Sequence, residues 1–202
     1  MIKHNFTIQE ILSSAWSKTK ENYWFLFRIF LGALFLMAIT HRTPLIGLVT
    51  SFIVGIAVIA VSLVIAHGAK PTFDDLTKSF KSYKITLNYI IASVLYGLIV
   101  SLGFIAFVLP GIYLAVRLSF YKFFVVEHEN MSAIDSLKES MKITANNFWK
   151  LLGFMVVLIA INLIGIIPFY LGLLVTVPVS VVASAILYKR LVGHHSEHQH
   201  SA

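Results

Sequence analysis

Charged residues are scarce in this sequence: Asp, Glu, Lys and Arg make up 12% of its 202 residues, whereas 58% are hydrophobic. A soluble domain usually carries about 25% charged residues. Since too few charges are present to cover one globule with a polar surface, the composition argues against an ordinary soluble domain. It favours a protein whose solvent is lipid.

Cysteine is absent. Its absence excludes disulfides, thiolate zinc sites and cysteine nucleophiles. The sequence also contains no Ser-His-Asp order, no pair of metal ligands at helical spacing and no phosphate-binding glycine loop. We therefore predict that the protein is not an enzyme and has no catalytic residue, no metal site and no cofactor.

Long apolar runs fill most of the chain. The hydrocarbon core of a membrane is about 30 Å thick, which a helix crosses in roughly 20 residues. The stretch between Lys84 and Glu127 is about twice that length, so it is predicted to cross twice. Strands of a membrane barrel would alternate apolar and polar residues, and these runs do not. The predicted fold class is all-α, a polytopic protein with about six transmembrane helices at 23–38, 45–66, 85–107, 108–126, 148–167 and 168–188.

Two outer turns in this arrangement have no charged residue to mark them. Gly103 with Pro110 and Gly111 is expected to form the first, and Gly165 with Pro168 the second, because glycine and proline interrupt helices. Pro110 and Gly111 are accordingly interpreted as structural turn residues.

Three short polar stretches separate the predicted hairpins and have the spacing of amphipathic helices. Each begins with a hydroxyl residue followed three positions later by a carboxylate, which is the capping-box pattern of a helix start. The pairs are Thr7 with Glu10, Thr72 with Asp75, and Ser132 with Asp135. The apolar faces are expected to meet lipid or the bundle; they carry Ile11 and Ala15, Leu76 and Phe80, and Leu137 and Met141.

The same order recurs along the chain, which predicts three copies of one unit, an amphipathic helix followed by a transmembrane hairpin. Trp24 matches Trp149 and Leu26 matches Leu151 at one common offset. The units lie at about 6–66, 71–126 and 131–191, within a single integral membrane domain over 1–191. Residues 192–202 are rich in histidine and are predicted to be a disordered tail; the alternative is that its imidazoles bind a divalent metal non-specifically.

Basic residues predict the orientation. Of the 16 Lys and Arg, Arg42 alone lies in a predicted outer loop, Arg28 and Arg117 lie deeper within spans, and the other 13 lie on the side of the membrane that carries the amphipathic helices. The positive-inside rule places that side, with both termini, in the cytoplasm. Topology thus accounts for the net charge of +7. No RNA- or DNA-binding pattern accompanies it, so nucleic acid is not a predicted partner.

Arg117 is the candidate functional residue. A cation inside a span costs about 2.5–3.5 kcal/mol on insertion scales, and such residues are often functional. Its guanidinium could contact backbone carbonyls freed by Pro110, a lipid phosphate or an anionic ligand, or it could reach the headgroups by snorkelling. The predicted spans contain no carboxylate, and their polar side chains, such as Ser62, Asn162 and Ser180, are neutral. This composition disfavours ion-coupled transport.

One segment resembles a known family. The sequence Leu109-Pro110-Gly111-Ile112-Tyr113-Leu114, with Arg117-Leu118-Ser119-Phe120 after it, is similar to a bacterial family of uncharacterised six-helix inner-membrane proteins. It also resembles the membrane domain attached to some glycerophosphodiester phosphodiesterases. The resemblance implies a bacterial inner-membrane location and a loose association with lipid metabolism, and it carries over no catalytic residue.

We therefore expect an integral membrane protein that binds or handles lipids or another amphiphile, with Arg117 contacting an anionic group. Two alternatives are a scaffold or subunit that docks a membrane or cytosolic partner protein, and an uncoupled permease.

Overall fold

The computed structural model describes the backbone of residues 7–40, 42–167 and 172–200, and the side chains of these residues except 78–81 and 194–200. The described chain is all-helical. Its helices are α1 (Ile8–Glu21), α2 (Tyr23–Thr40), α3 (Pro44–Ala66), α4 (Phe73–Lys81), α5 (Tyr83–Ala106), α6 (Val108–Leu118), α7 (Tyr121–Glu127), α8 (Ala133–Thr144), a 3-10 turn (Ala145–Asn147), α9 (Phe148–Ile166) and α10 (Leu173–His200).

Six segments of the described chain are long and apolar enough to cross a membrane, which confirms the predicted fold class. They are Tyr23–Thr40, Pro44–Ala66, Tyr83–Ala106, Val108–Glu127, Ala133–Ile166 and Leu173–Gly193. Their outward surfaces are apolar, and in α2 only Leu26 is buried. A surface of this kind suits a hydrocarbon solvent.

The three predicted amphipathic helices begin at the hydroxyl residues expected to cap them. Thr7 precedes α1, and its Oγ1 accepts a hydrogen bond from the Glu10 amide at 3.3 Å. Before α4, the Thr72 amide donates to Asp75 Oδ2 at 2.8 Å. Before α8, Ser132 Oγ accepts from the Asp135 amide at 3.1 Å. The bonds to Thr7 and Ser132 satisfy first-turn amides that have no partner within a helix, and the bond from Thr72 satisfies the amide of the capping residue itself.

The apolar faces of α1 and α8 meet the bundle. Ile11 and Ala15 are fully buried where α1 packs against α10. On α8, Leu137 is buried together with Ser136 and Ser140, while the helix packs against α6 and α7. Both helices are therefore part of the packed core, and α8 brings hydroxyl groups into it.

The structure corrects the prediction for the turn between the third and fourth spans. Pro110 and Gly111 lie inside α6, in its first turn, and the residue between α5 and α6 is Phe107. Proline is tolerated there because a first-turn amide has no acceptor within the helix.

Glycines bring the helices of two hairpins together. A Cβ added to Gly103 would lie 3.0 Å from Gly111 Cα, so α5 and α6 pack backbone against backbone. A Cβ added to Gly172 would lie 2.5 Å from the Gly165 carbonyl oxygen. Pro168, also predicted in the second turn, lies outside the described residues. Gly103, Gly111 and Gly165 thus act by close approach of helices, a role that glycine fills because it has no side chain.

The described backbone of α10 continues as helix to His200. The predicted limits of the membrane domain and of the tail stay predictions. After Gly193, the residues 194–200 contain no proline or glycine to interrupt the helix begun at Leu173.

Candidate functional site

The fourth span is broken in its middle. Predicted as one helix over 108–126, it forms α6 and α7, with Ser119 and Phe120 between them. A helix break leaves backbone groups without partners, and in hydrocarbon such groups must be satisfied by the protein.

Side chains of α8 satisfy the groups at this break. Ser140 Oγ donates to the Arg117 carbonyl oxygen at 3.0 Å and accepts from the Phe120 amide at 3.1 Å. Thr144 Oγ1 lies 3.0 Å from the same Arg117 oxygen and 2.7 Å from the Ser140 carbonyl oxygen. Ser140 and Thr144 are both fully buried. Two hydroxyl groups of α8 therefore stabilise the break by hydrogen bonds to its backbone.

The Arg117 side chain contacts the same helix. Its Nη2 donates to the Met141 carbonyl oxygen at 2.8 Å, and its guanidinium carbon lies 5.5 Å from the centre of the Tyr113 ring. Met141 is in the last turn of α8, whose carbonyls attract a cation. The carbonyl partner is thus in α8 and was not freed by Pro110. Nε of Arg117 is buried and has no hydrogen-bond partner among the described residues.

Beyond the break, α7 helps to form an open cleft of about 360 Å³ with α3, α5, α9 and α10. Its polar lining residues are Tyr89, Lys122, Asn162, Ser180 and Ser184. The rest of the lining is apolar, and Ile159, which is 59% exposed, places the opening on the outer surface of the bundle. A mostly apolar cavity with a few polar groups is typical of a ligand site.

Lys122 supplies the only cation of this lining, and no carboxylate is part of it. Among the described residues, its ammonium makes no hydrogen bond and no ion pair. It lies 5.7 Å from the centre of the Tyr121 ring, a cation–π contact. Lys122 was predicted to lie on the side of the amphipathic helices as one of the orienting basic residues, and the structure places it in the lining of the cleft.

Tyr89 and Gly55 form part of the wall. Tyr89 is buried, and a Cβ added to Gly55 would lie 2.6 Å from the Tyr89 hydroxyl oxygen. Glycine at position 55 therefore makes room for that hydroxyl. Within the described part of the chain, the Tyr89 hydroxyl makes no hydrogen bond, so it can donate to a group that enters the cleft.

On the other side of the cleft, Asn162 of α9 is hydrogen-bonded to α10. Its Nδ2 donates to Ser180 Oγ at 2.8 Å and to the Leu158 carbonyl oxygen at 2.8 Å. Its Oδ1 is buried and has no partner among the described residues. A buried oxygen without a donor is costly and is a place where water or a ligand group is expected.

The end of the bundle that carries α1, which we call the charged end, is held by ionic contacts. Lys18 Nζ donates to the Ile65 and Ala66 carbonyl oxygens at 3.1 and 3.0 Å, at the C-terminus of α3. Arg190 Nη2 lies 2.6 Å from Glu10 Oε1. The hydrogen bond from Arg190 and its charge lower the pKa of Glu10, so this contact stays ionised at neutral pH.

Inside this end of the bundle, the Glu127 carboxylate contacts two side chains. The buried Tyr188 hydroxyl donates to Glu127 Oε2 at 2.6 Å. His67 Nε2 lies 3.7 Å from Glu127 Oε1. The carboxylate oxygens of Glu127 therefore contact Tyr188 and His67 and not Lys122.

An all-helical bundle with six apolar helices and a cleft that carries a lysine defines a multi-pass membrane protein with a candidate binding site. Residues 23–194 match a domain of unknown function, DUF7847, and the chain belongs to that family. The chain matches no curated protein and no solved structure. The family is consistent with the predicted resemblance to uncharacterised membrane proteins; the resemblance to a phosphodiesterase membrane domain stays a prediction.

Sequence reasoning singled out Arg117 and missed Lys122. Both lie in the fourth span, and Lys122 is preceded by Phe120 and Tyr121 and followed by an apolar run. A lysine between apolar residues inside a predicted span was the sequence signal from which Lys122 could have been identified. The cleft also contains Asn162 and Ser180, which the sequence analysis noted only as neutral polar residues of the spans.

Proposed function

We propose that the protein is a non-enzymatic membrane protein that binds an amphiphile with an anionic head, and that the cleft around Lys122 is its binding site. The observation that carries the proposal is a lysine in an apolar cleft that has no carboxylate in its lining. An uncompensated cation in the membrane is costly. An anionic head group would neutralise it, while Tyr89 would donate a hydrogen bond and the apolar rim would contact the tail.

Arg117 is proposed as a second contact to anionic lipid. One of its nitrogens is already bound to the Met141 carbonyl oxygen, and its Nε is buried with no partner among the described residues. The guanidinium N–H groups that are not bound to Met141 would donate to a phosphate oxygen from outside the bundle. The contact to α8 supports an additional structural role, so we expect Arg117 to contribute less to lipid binding than Lys122.

The proposal is tested by titrating the detergent-solubilised, delipidated protein with phosphatidylglycerol and counting bound lipids by native mass spectrometry. Lys122→Leu should weaken binding about tenfold or more, because a hydrogen bond to a charged group contributes about 1.5–3 kcal/mol. Lys122→Arg should retain most of the affinity. Arg117→Leu should insert normally and bind less lipid than wild type, with Arg117→Lys intermediate.

Lys138→Leu is the matched control, because it removes the same charge from a side chain that is 66% exposed on α8. Equal affinity in the wild type, Lys122→Leu and Lys138→Leu would reject the cleft as the binding site.

We further propose that the protein lies in a bacterial inner membrane with both termini in the cytoplasm. The bias of basic residues towards the side of the amphipathic helices supports this orientation. The native chain has no cysteine, so a single introduced thiol reports its own location. We expect a Ser201→Cys variant to resist an impermeant thiol reagent in intact cells and to react after lysis. Labelling of this cysteine in intact cells would show that the C-terminus lies outside the cytoplasm and that the proposed orientation is wrong.

We also propose that the chain is built from three repeated units. In support, α5 and α6 pack through Gly103 and Gly111, and the hairpin of α9 and α10 has the similar pair Gly165 and Gly172. The membrane domain of some glycerophosphodiester phosphodiesterases would share this plan, by the sequence resemblance alone.

A further inference from the structure

The cleft continues along one face of α10. Thr176, Ser180, Ser184 and Tyr188 are spaced four residues apart, which places them in one row on the helix; we call them the polar row. Ser180 and Ser184 line the cleft, and Tyr188 contacts Glu127 at the charged end. Thr176 lies at the opposite end, beside Gly165. At about 1.5 Å per residue the row is about 18 Å long, more than half of a hydrocarbon core of about 30 Å.

The hydroxyl groups of the row can still accept hydrogen bonds. Ser180 Oγ donates to the Thr176 carbonyl oxygen and Ser184 Oγ donates to the Ser180 carbonyl oxygen, both at 2.8 Å. Their protons are thus used within α10, while their lone pairs remain available for donors. Asn162 Nδ2 already uses Ser180 Oγ in this way.

Two buried oxygens near the outer part of the row have no partner. They are Asn162 Oδ1 and Thr176 Oγ1, and neither has a hydrogen bond within the described part of the chain. Unsatisfied polar atoms cost most in hydrocarbon, where no water can reach them. Asn162 lines the Lys122 cleft, and Thr176 lies one helical turn before Ser180 of the lining, so polar groups of a ligand are expected to enter this region.

We propose that the polar row carries the head group of the bound lipid between the Lys122 level and the opposite end of the bundle. The protein would then allow a lipid to exchange between the two leaflets without an energy source. The tails would remain in the bilayer, since the cleft opens beside the exposed Ile159. This inference rests on the proposed binding of an anionic amphiphile in the cleft.

The charges of the cleft select the class of lipid. Lys122 is the only cation in its lining, so the cleft neutralises one negative charge. Donors and acceptors that carry no charge, among them Tyr89 and Asn162, suit the hydroxyl groups of a head. A volume of about 360 Å³ is enough for a head group, and the open side of the cleft lets the acyl chains stay in the bilayer. A monoanionic glycerophosphodiester lipid with a hydroxylated head meets these conditions.

The experiment uses the full chain in phosphatidylcholine vesicles that contain tail-labelled phosphatidylglycerol, with dithionite quenching of the outer leaflet. The wild type should make nearly all the label accessible, whereas vesicles without protein should stop near half. Thr176→Val should slow the exchange about tenfold, because it replaces the outermost hydroxyl of the row by a methyl group of similar size and leaves the cleft lining unchanged. Ser101→Leu, a change on the exposed surface of α5, should exchange like wild type.

Binding of phosphatidylglycerol is measured on the same samples by native mass spectrometry. If the lipid binds in a Lys122-dependent way but wild-type quenching stops near half, the transport inference is wrong and the binding proposal stands. If Lys122→Leu changes neither binding nor exchange, the proposed site itself is wrong. Equal exchange of tail-labelled phosphatidylcholine would overturn the choice of an anionic lipid. Slower exchange in Thr176→Val with unchanged lipid binding would support the polar row as the path, because Thr176 belongs to the row and is not part of the cleft lining.

Discussion

Replacing Gly172 by alanine is expected to destabilise the protein by about 3 kcal/mol or more, the largest effect of any single methyl addition that we predict. The added Cβ would lie 2.5 Å from the Gly165 carbonyl oxygen and 2.8 Å from Gly165 Cα, so backbone would have to move. At about 2–4 °C per kcal/mol, the melting temperature of the detergent-solubilised protein should fall by about 6–12 °C.

Gly97→Ala is the control for this change. Gly97 lies in α5, and apart from its own chain neighbours and the nearby backbone of α5, no described atom lies within 4 Å of the position that its Cβ would occupy. Alanine in a helix is favoured over glycine by about 1 kcal/mol, so this variant should be as stable as wild type or slightly more stable. Equal melting temperatures for Gly172→Ala and Gly97→Ala would show that the hairpin of α9 and α10 is not closely packed at Gly165.

Ser140→Ala is expected to cost about 1–3 kcal/mol, because it leaves the Phe120 amide without its partner in the interior. The same change removes the hydrogen bond to the Arg117 carbonyl oxygen at the break in the fourth span. Since α7 begins directly after this break and carries Lys122, binding of anionic lipid should weaken together with the melting temperature.

Ser136→Ala separates this effect from the simple loss of a buried hydroxyl. Ser136 is also fully buried on α8, but its Oγ donates only to the Ala133 carbonyl oxygen of its own helix. We expect a small change in melting temperature and no change in lipid binding for this variant. A Ser140→Ala protein that behaves like Ser136→Ala would mean that the break does not depend on the hydroxyl of Ser140.

The overall architecture could be predicted because its determinants are local. Apolar runs of sufficient length specify helices in a membrane, and a hydroxyl residue followed by a carboxylate specifies where an amphipathic helix begins. Thr7, Thr72 and Ser132 cap helices where the pattern predicted them. The turn at Phe107 lies where the predicted spans 85–107 and 108–126 meet. The role predicted for Pro110 was wrong, since proline fits equally well in the first turn of a helix.

The break in the fourth span could not be predicted from the span itself. It depends on Ser140 and Thr144, which are separated from Phe120 by a loop and most of another helix. Their spacing of four residues was visible on α8, but an amphipathic pattern does not tell which polar side chains turn inward. Lys122 was missed for the same reason, because its direction depends on the geometry of α7 after the break.

The contact between the first and last helices has a consequence for the order in which the protein assembles. Glu10 on α1 pairs with Arg190 on α10, 180 residues later in the chain. At a synthesis rate of about 5–20 residues per second, about 10–40 s pass between the emergence of these two residues. During that interval Ile11 and Ala15 of α1 lack the α10 surface that buries them, so the N-terminal helix must rest on the membrane surface or on an insertion factor. Closure of the bundle is therefore a late event in biogenesis.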